Sequence, residues 1–200
     1  MLSKIGLRNF AIILAAVLVV AGTAVAVALN HASQLSAAPS LPQIGGHFAL
    51  STADGRRVSD QTFRGKWLLV YFGYTSCPDV CPTTLSSMAL ALEKLGPLAD
   101  KIQPLFITVD PERDTAKLVG EYVKDFDARF VGLTGSPQDI AATAQDFRVY
   151  YRVRQLGHNE YVVDHSSFIY VIDPNGTFVR LLTGDLPGHQ LAEEIRKLMG

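Results

Sequence analysis

Apolar positions along this chain fall either in unbroken runs or at 3.6-residue spacing, and the alternation between the two predicts its elements. Trp67 to Tyr74 is an apolar and aromatic run of the kind a central strand covered on both faces requires. Leu85, Met88, Ala89, Leu92 and Leu95 then repeat at helical spacing up to Gly96-Pro97, with Pro82 in a first turn that tolerates it. Ile102 to Val109 predicts the next buried strand. Asp114 or Thr115 can cap a helix carrying Leu118, Tyr122, Val123 and Phe126. Phe130 to Leu133 predicts a short strand, and Ser136-Pro137 opens a helix through about Phe147. Ser167 to Ile172 and Thr177 to Leu182 flank the turn Asp173-Pro174-Asn175-Gly176 and predict a hairpin, before an amphipathic helix from Gly188 to Met199. Nearer the start, His47 to Leu50 and a strand near Val58 flank Asp54-Gly55-Arg56 as a smaller hairpin.

Strands alternating with helices and closing on a hairpin and a helix predict an α/β domain with a mixed sheet, an order that the thioredoxin-like arrangement fits. In such folds ligands favour the carboxyl ends of parallel strands. With 200 residues, 48% of them hydrophobic, the chain can build one substantial core, and a single domain is expected from residues 47 to 200.

The N-terminus has a different pattern. Residues 10–29 carry no charge and one polar side chain, Thr23, over about the 20 residues that a helix needs to cross a bilayer. Lys4 and Arg8 precede the run, and no Lys or Arg follows until Arg56. The positive-inside rule then keeps residues 1–9 in the cytoplasm and exports the rest, as a single-pass protein of a bacterial-type inner membrane with its domain in the periplasm or an equivalent space. A cleaved signal peptide is the competing reading, since Ala24, Ala26, Ala28 and Ala32 are small, but its apolar core runs to only about 7–15 residues. Residues 30–46 are small, polar and broken by Pro39 and Pro42, a tether. A net charge of −1 gives no basic excess for nucleic acid.

The only two cysteines, Cys77 and Cys81, follow the first strong strand in Cys77-Pro78-Asp79-Val80-Cys81. Side chains at i and i+4 share a helical face, so both sulfurs are expected on one side of a first turn whose N-terminus favours the thiolate. Such a pair can form a disulfide, attack one, or hold a soft metal ion. Export permits the disulfide, although a loop so short constrains the unfolded chain little. A metal site needs a further ligand. Among five histidines, His31 lies in the tether, His47 borders the first strand, His158 lies in a polar loop and His189 begins the last helix. His165 stands in a loop immediately before the strand from Phe168, either as a core or surface residue or as a ligand, with Asp164 able to orient it. Asp110-Pro111-Glu112-Arg113-Asp114 ends another strand; it reads as a solvated capping loop, or as Asp110 and Arg113 bracing the cysteine loop or forming a partner surface.

Three segments in order, residues 71–82 (Tyr-Phe-Gly-Tyr-Thr-Ser-Cys-Pro-Asp-Val-Cys-Pro), 109–115 (Val-Asp-Pro-Glu-Arg-Asp-Thr) and 163–167 (Val-Asp-His-Ser-Ser), resemble the Sco/SenC family of copper chaperones for cytochrome c oxidase assembly. The resemblance implies a membrane-anchored thioredoxin-like domain in which Cys77, Cys81 and His165 bind copper, as Cu(I) and also Cu(II), in an open site. It implies the copper-bearing oxidase subunit as a partner, with a thiol reductant or another copper carrier upstream. The rival reading is a thiol–disulfide oxidoreductase that uses Cys77 and Cys81 to reduce the oxidase copper site. A thiol peroxidase and a copper sensor are further alternatives.

Overall fold

In the computed structural model, which describes residues 18–27, 44–45, 47–157 and 160–200, the strands and helices follow one another as β1 (Ala49–Ser51), β2 (Arg57–Ser59), β3 (Trp67–Gly73), α1 (Val80–Leu95), β4 (Ile102–Thr108), α2 (Ala116–Lys124), β5 (Val131–Leu133), α3 (Pro137–Asp146), β6 (Tyr151–Gly157), β7 (Glu160–His165), β8 (Phe168–Ile172), β9 (Phe178–Thr183) and α4 (Gly188–Met199). Residues 18–27 are helical with exposed side chains. The remainder of the expected anchor, most of the tether, His31 and His158 lie outside the described residues. Among the described residues no helix is long and apolar enough to cross a membrane.

The main sheet has the order β5-β4-β3-β8-β9. Its centre is β3, buried from Leu68 to Gly73, parallel to β4 and antiparallel to β8. This is the mixed sheet that the element order predicted, and the physical cause is the run from Trp67, which has no polar face to offer solvent. Parallel pairing of β3 with β4 demands a crossover, and α1 supplies it, burying Leu85, Met88, Leu92 and Leu95 at the predicted spacing. Helix α4 packs against α1 across Gly188, where a Cβ would come within 2.7 Å of both Leu90 Cβ and the Ser87 carbonyl.

Two expectations need correction. Helix α2 buries Val119, Gly120 and Val123, while Leu118 is 42% exposed. Thr115, not Asp114, caps it by accepting from the Leu118 amide, and the phase that follows turns Gly120 onto Ala53, where a Cβ would stand 2.3 Å from the Ala53 Cβ. The second correction concerns the residues before His165. They form a separate antiparallel ribbon, β6–β7, in which Tyr151 pairs with His165 and Val153 with Val163, so His165 ends a strand instead of following a loop.

Helix α2 also crosses β5 closely. A Cβ on Gly132 would lie 2.7 Å from the Val119 carbonyl oxygen, a backbone atom that cannot rotate aside. Gly132→Ala is expected to destabilise the domain by about 1–3 kcal/mol through overpacking, read as a lower urea midpoint with an unchanged slope.

Candidate metal centre

Beyond Gly73 the chain runs through a loop into α1. Cys77 lies in that loop and Cys81 is the second residue of the helix, so the two do not share a helical face as the spacing predicted. They meet because the Cys77 amide donates to the Tyr74 carbonyl at 3.1 Å, folding the loop back toward the helix end. The Cys81 amide, one of the helix's free N-terminal donors, then reaches Cys77 Sγ at 3.4 Å. Cys81 is fully buried and Cys77 is 8% exposed. Gly73 makes room for this approach, since a Cβ there would sit 2.6 Å from Cys81 Sγ and 2.9 Å from Phe106.

His165 arrives on the ribbon from a different part of the chain. Its Nε2 lies 3.4 Å from Cys81 Sγ, and its Nδ1 lies 3.1 Å from the Ser166 carbonyl. With its proton on Nδ1 the ring donates to that carbonyl and turns the Nε2 lone pair toward the sulfurs; with the proton on Nε2 it donates to a sulfur instead. Tyr71 and Tyr74 hold the ring edge-on, with centroids 6.2 and 5.8 Å away. The Tyr71 hydroxyl also reaches Cys81 Sγ at 3.9 Å and Ser167 Oγ at 3.2 Å. The three donor atoms of Cys77, Cys81 and His165 all lie within 4.8 Å of one another, an arrangement able to hold a metal ion. Cys77 and His165 open onto a recess of about 350 Å³ bordered by Pro78, Arg154, Val162 and Asp164, while Cys81 lies buried behind them.

The two thiols differ in charge. A hydrogen bond from the Cys81 thiol, with further ones from His165 and the Cys81 and Asp79 amides, pulls Cys77 down to about 4 against its burial. The same hydrogen bond and deeper burial push Cys81 far above the usual thiol range. The pair thus titrates in two well-separated steps, with the first negative charge favoured on Cys77, the sulfur that the Cys81 and Asp79 amides face.

The acidic turn after β4 divides its work differently from the sequence expectation. Asp110 pairs with Arg113, and both grip the ribbon: the Tyr161 hydroxyl donates to Asp110 at 2.7 Å, while Arg113 donates to the Tyr161 carbonyl at 3.1 Å and stacks on its ring at 3.8 Å. They therefore brace the histidine-bearing arm, and Arg113 also touches the cysteine loop, its guanidinium lying 5.7 Å from the centre of the Tyr74 ring. Asp114, read from the sequence only as a cap, is the carboxylate that meets the cysteine loop, through Thr75. Asp164 does not orient His165. It faces outward and pairs with Arg154 at 3.1 Å, because neighbouring residues of a strand point to opposite sides.

The SCO1/SenC family profile matches residues 36–200, which take in the cysteine loop, the acidic turn and the ribbon. The chain belongs to the SCO1/SenC family. Among curated family members, "Protein SCO1 homolog 1, mitochondrial" of Arabidopsis thaliana is 45% identical over 138 residues, 68% of this chain and 41% of that protein. The human "Protein SCO1 homolog, mitochondrial" is 42% identical over 141 residues, 69% of this chain and 47% of that protein, so the chain spans less than half of either relative. A crystal structure of Arabidopsis thaliana ScoI with copper bound superposes with a TM-score of 0.74 at 41% identity, covering 78% of this chain and 98% of that one.

The split between the two family cysteines can be read chemically. Alkylation of the reduced protein by iodoacetamide should fall on Cys77, at a rate flat from neutral pH to about pH 6 and half-maximal near pH 4, because the thiolate is the nucleophile. Mass mapping of the modified residue against pH checks this.

Proposed function

We propose that this chain is a copper carrier that binds its cargo through Cys77, Cys81 and His165 and delivers it to cytochrome c oxidase during assembly. The convergence of two sulfurs and one imidazole nitrogen within 4.8 Å, from two chain segments far apart in sequence, carries the reading. Soft thiolates select Cu(I), and an added imidazole also accommodates Cu(II). Copper in the Arabidopsis thaliana ScoI structure supports the same cargo here. Three ligands beside an open recess leave a coordination position free, so a receiving protein's sulfur or imidazole can enter before the carrier's ligands leave. Loading displaces the proton held on Cys81, so copper affinity rises with pH. Oxidation to a disulfide transfers two electrons to a partner disulfide and abolishes both thiolate ligands, which links the carrier's loading to its redox state.

The receiving partner in this reading is the copper-bearing oxidase subunit, and a thiol reductant or another copper carrier prepares the site. Residues 10–29 act as an inner-membrane anchor that keeps the domain close to a membrane-bound acceptor, with residues 30–46 as its tether. A second reading, reduction of the oxidase cysteines, is favoured by one observation: Cys77 lines the recess with its pKa pulled down while Cys81 is fully buried with its pKa pushed up, the division of labour of an attacking and a resolving thiol.

Copper titration of the reduced domain, followed by absorption and EPR, separates the readings. Cys77→Ala and Cys81→Ala should abolish tight Cu(I) binding. His165→Ala should weaken it by at least the roughly 10–100-fold that loss of an outer partner of a metal ligand costs, while its thiol–disulfide exchange rate stays within about twofold. Wild-type binding in either cysteine variant would refute the site. Transfer of bound copper to an apo oxidase copper domain, monitored in the acceptor's spectrum, tests delivery itself.

A further inference from the structure

The structure assigns Asp114 as the residue that positions the cysteine loop, a role outside the three donor side chains. Asp114 is buried, 1% exposed. Thr75 donates to it twice, from its amide at 3.0 Å and from its hydroxyl, and the Thr108 hydroxyl donates at 2.6 Å. No Lys, Arg or His pairs with it among the described residues. A carboxylate buried without a cation is costly, and three hydrogen bonds offset that cost only while all are made. Neither of the ordinary reasons for an acid at this place applies, since Thr115 caps α2 and Arg113 pairs with Asp110.

What Asp114 does have is a rigid seat and a single loop to hold. Its own amide donates to the Asp110 carbonyl at 2.9 Å, and its carbonyl accepts from the Thr134 hydroxyl at 3.0 Å. Thr134 in turn exchanges both backbone hydrogen bonds with Ser51. Thr75, the loop residue so held, stands two residues before Cys77 and directly after Tyr74, whose carbonyl receives the Cys77 amide. Fixing Thr75 therefore fixes the turn that presents Cys77 Sγ to the Cys81 amide. That geometry belongs to the free thiols seen here. A disulfide requires the sulfurs to close to about 2.05 Å, with its own dihedral demands, so the carboxylate favours the reduced, metal-ready loop over the oxidised one.

This inference deepens the copper-carrier reading and rests on it for its biological meaning, but its test needs no copper. In glutathione buffers the protein disulfide takes two electrons and two protons from two glutathione thiols, which leave as one glutathione disulfide. Asp114→Asn, which loses one of the two acceptor oxygens, and Thr75→Val, which loses the hydroxyl donor, should each lower the equilibrium constant for that reduction by about tenfold, or ~30 mV for two electrons. Thr75→Ser, which keeps the hydroxyl, should match wild type. So should Tyr161→Phe, which removes a hydrogen bond from the histidine arm and none from Thr75 or Asp114. An unchanged potential in Thr75→Val overturns the proposal, whether or not Asp114→Asn folds, and so does an unchanged potential in Asp114→Asn accompanied by a lower urea midpoint. Failure of the wild-type domain to bind Cu(I) would instead refute the carrier reading and leave the potential shifts standing.

Discussion

Parallel pairing of β3 with β4 is the constraint on which the site depends. It sets Gly73 level with Thr108, and the Val109 amide extends the pairing to the Gly73 carbonyl at 2.8 Å. Both strands therefore release their loops at the same sheet end and side by side. One loop carries Cys77 and leads into the helix bearing Cys81; the other carries Asp110, Arg113 and Asp114. Were the register to slip by one residue, every side chain of β3 would change faces. Gly73 would then no longer lie beneath Cys81, and Asp114 would no longer lie beneath Thr75.

On that frame the acidic turn works as a pair of arms. Asp110 and Arg113 reach to Tyr161 and so to the ribbon that ends in His165, while Asp114 reaches to Thr75 and so to Cys77. The ribbon needs such a hold, because its outer strand β6 is largely exposed and among the described residues it shares no hydrogen-bonded ladder with the main sheet. A site assembled in this way can hold two sulfurs in the core and one imidazole at its edge. Burial of Cys81 and shared hydrogen bonding charge one sulfur before metal arrives, which makes the same pair competent for copper and for electrons.

Much of this was legible along the chain. The run from Trp67, the helical repeat after Pro82 and the turn Asp173-Pro174-Asn175-Gly176 each report burial or backbone geometry that acts over a few residues, and β3, α1 and the β8–β9 hairpin stand where those signals put them. The ribbon is not legible in this way, although Tyr151 and Val153 alternate with Arg152 and Arg154, because a strand with little burial lacks the apolar weight that marks the others. Helix α2 is legible in extent but not in phase, since the glycine that faces Ala53 carries no hydrophobic signal.

The sequence by itself determined an α/β domain behind an apolar N-terminal run, and a cysteine pair at a strand-to-helix junction, because these follow from local periodicity and residue type. Resemblance added His165. Only the tertiary structure decided how Cys77 and Cys81 meet, which carboxylate serves which arm and which sulfur keeps the proton. The cysteines meet through loop contacts that no local pattern announces, from the Cys77 amide to the Tyr74 carbonyl and from the Cys81 amide to Cys77 Sγ. The arms arise between Thr75 and Asp114, Asp110 and Tyr161, and Cys81 and His165, pairs separated by 39 to 84 positions whose contacts exist only once the sheet has fixed its register.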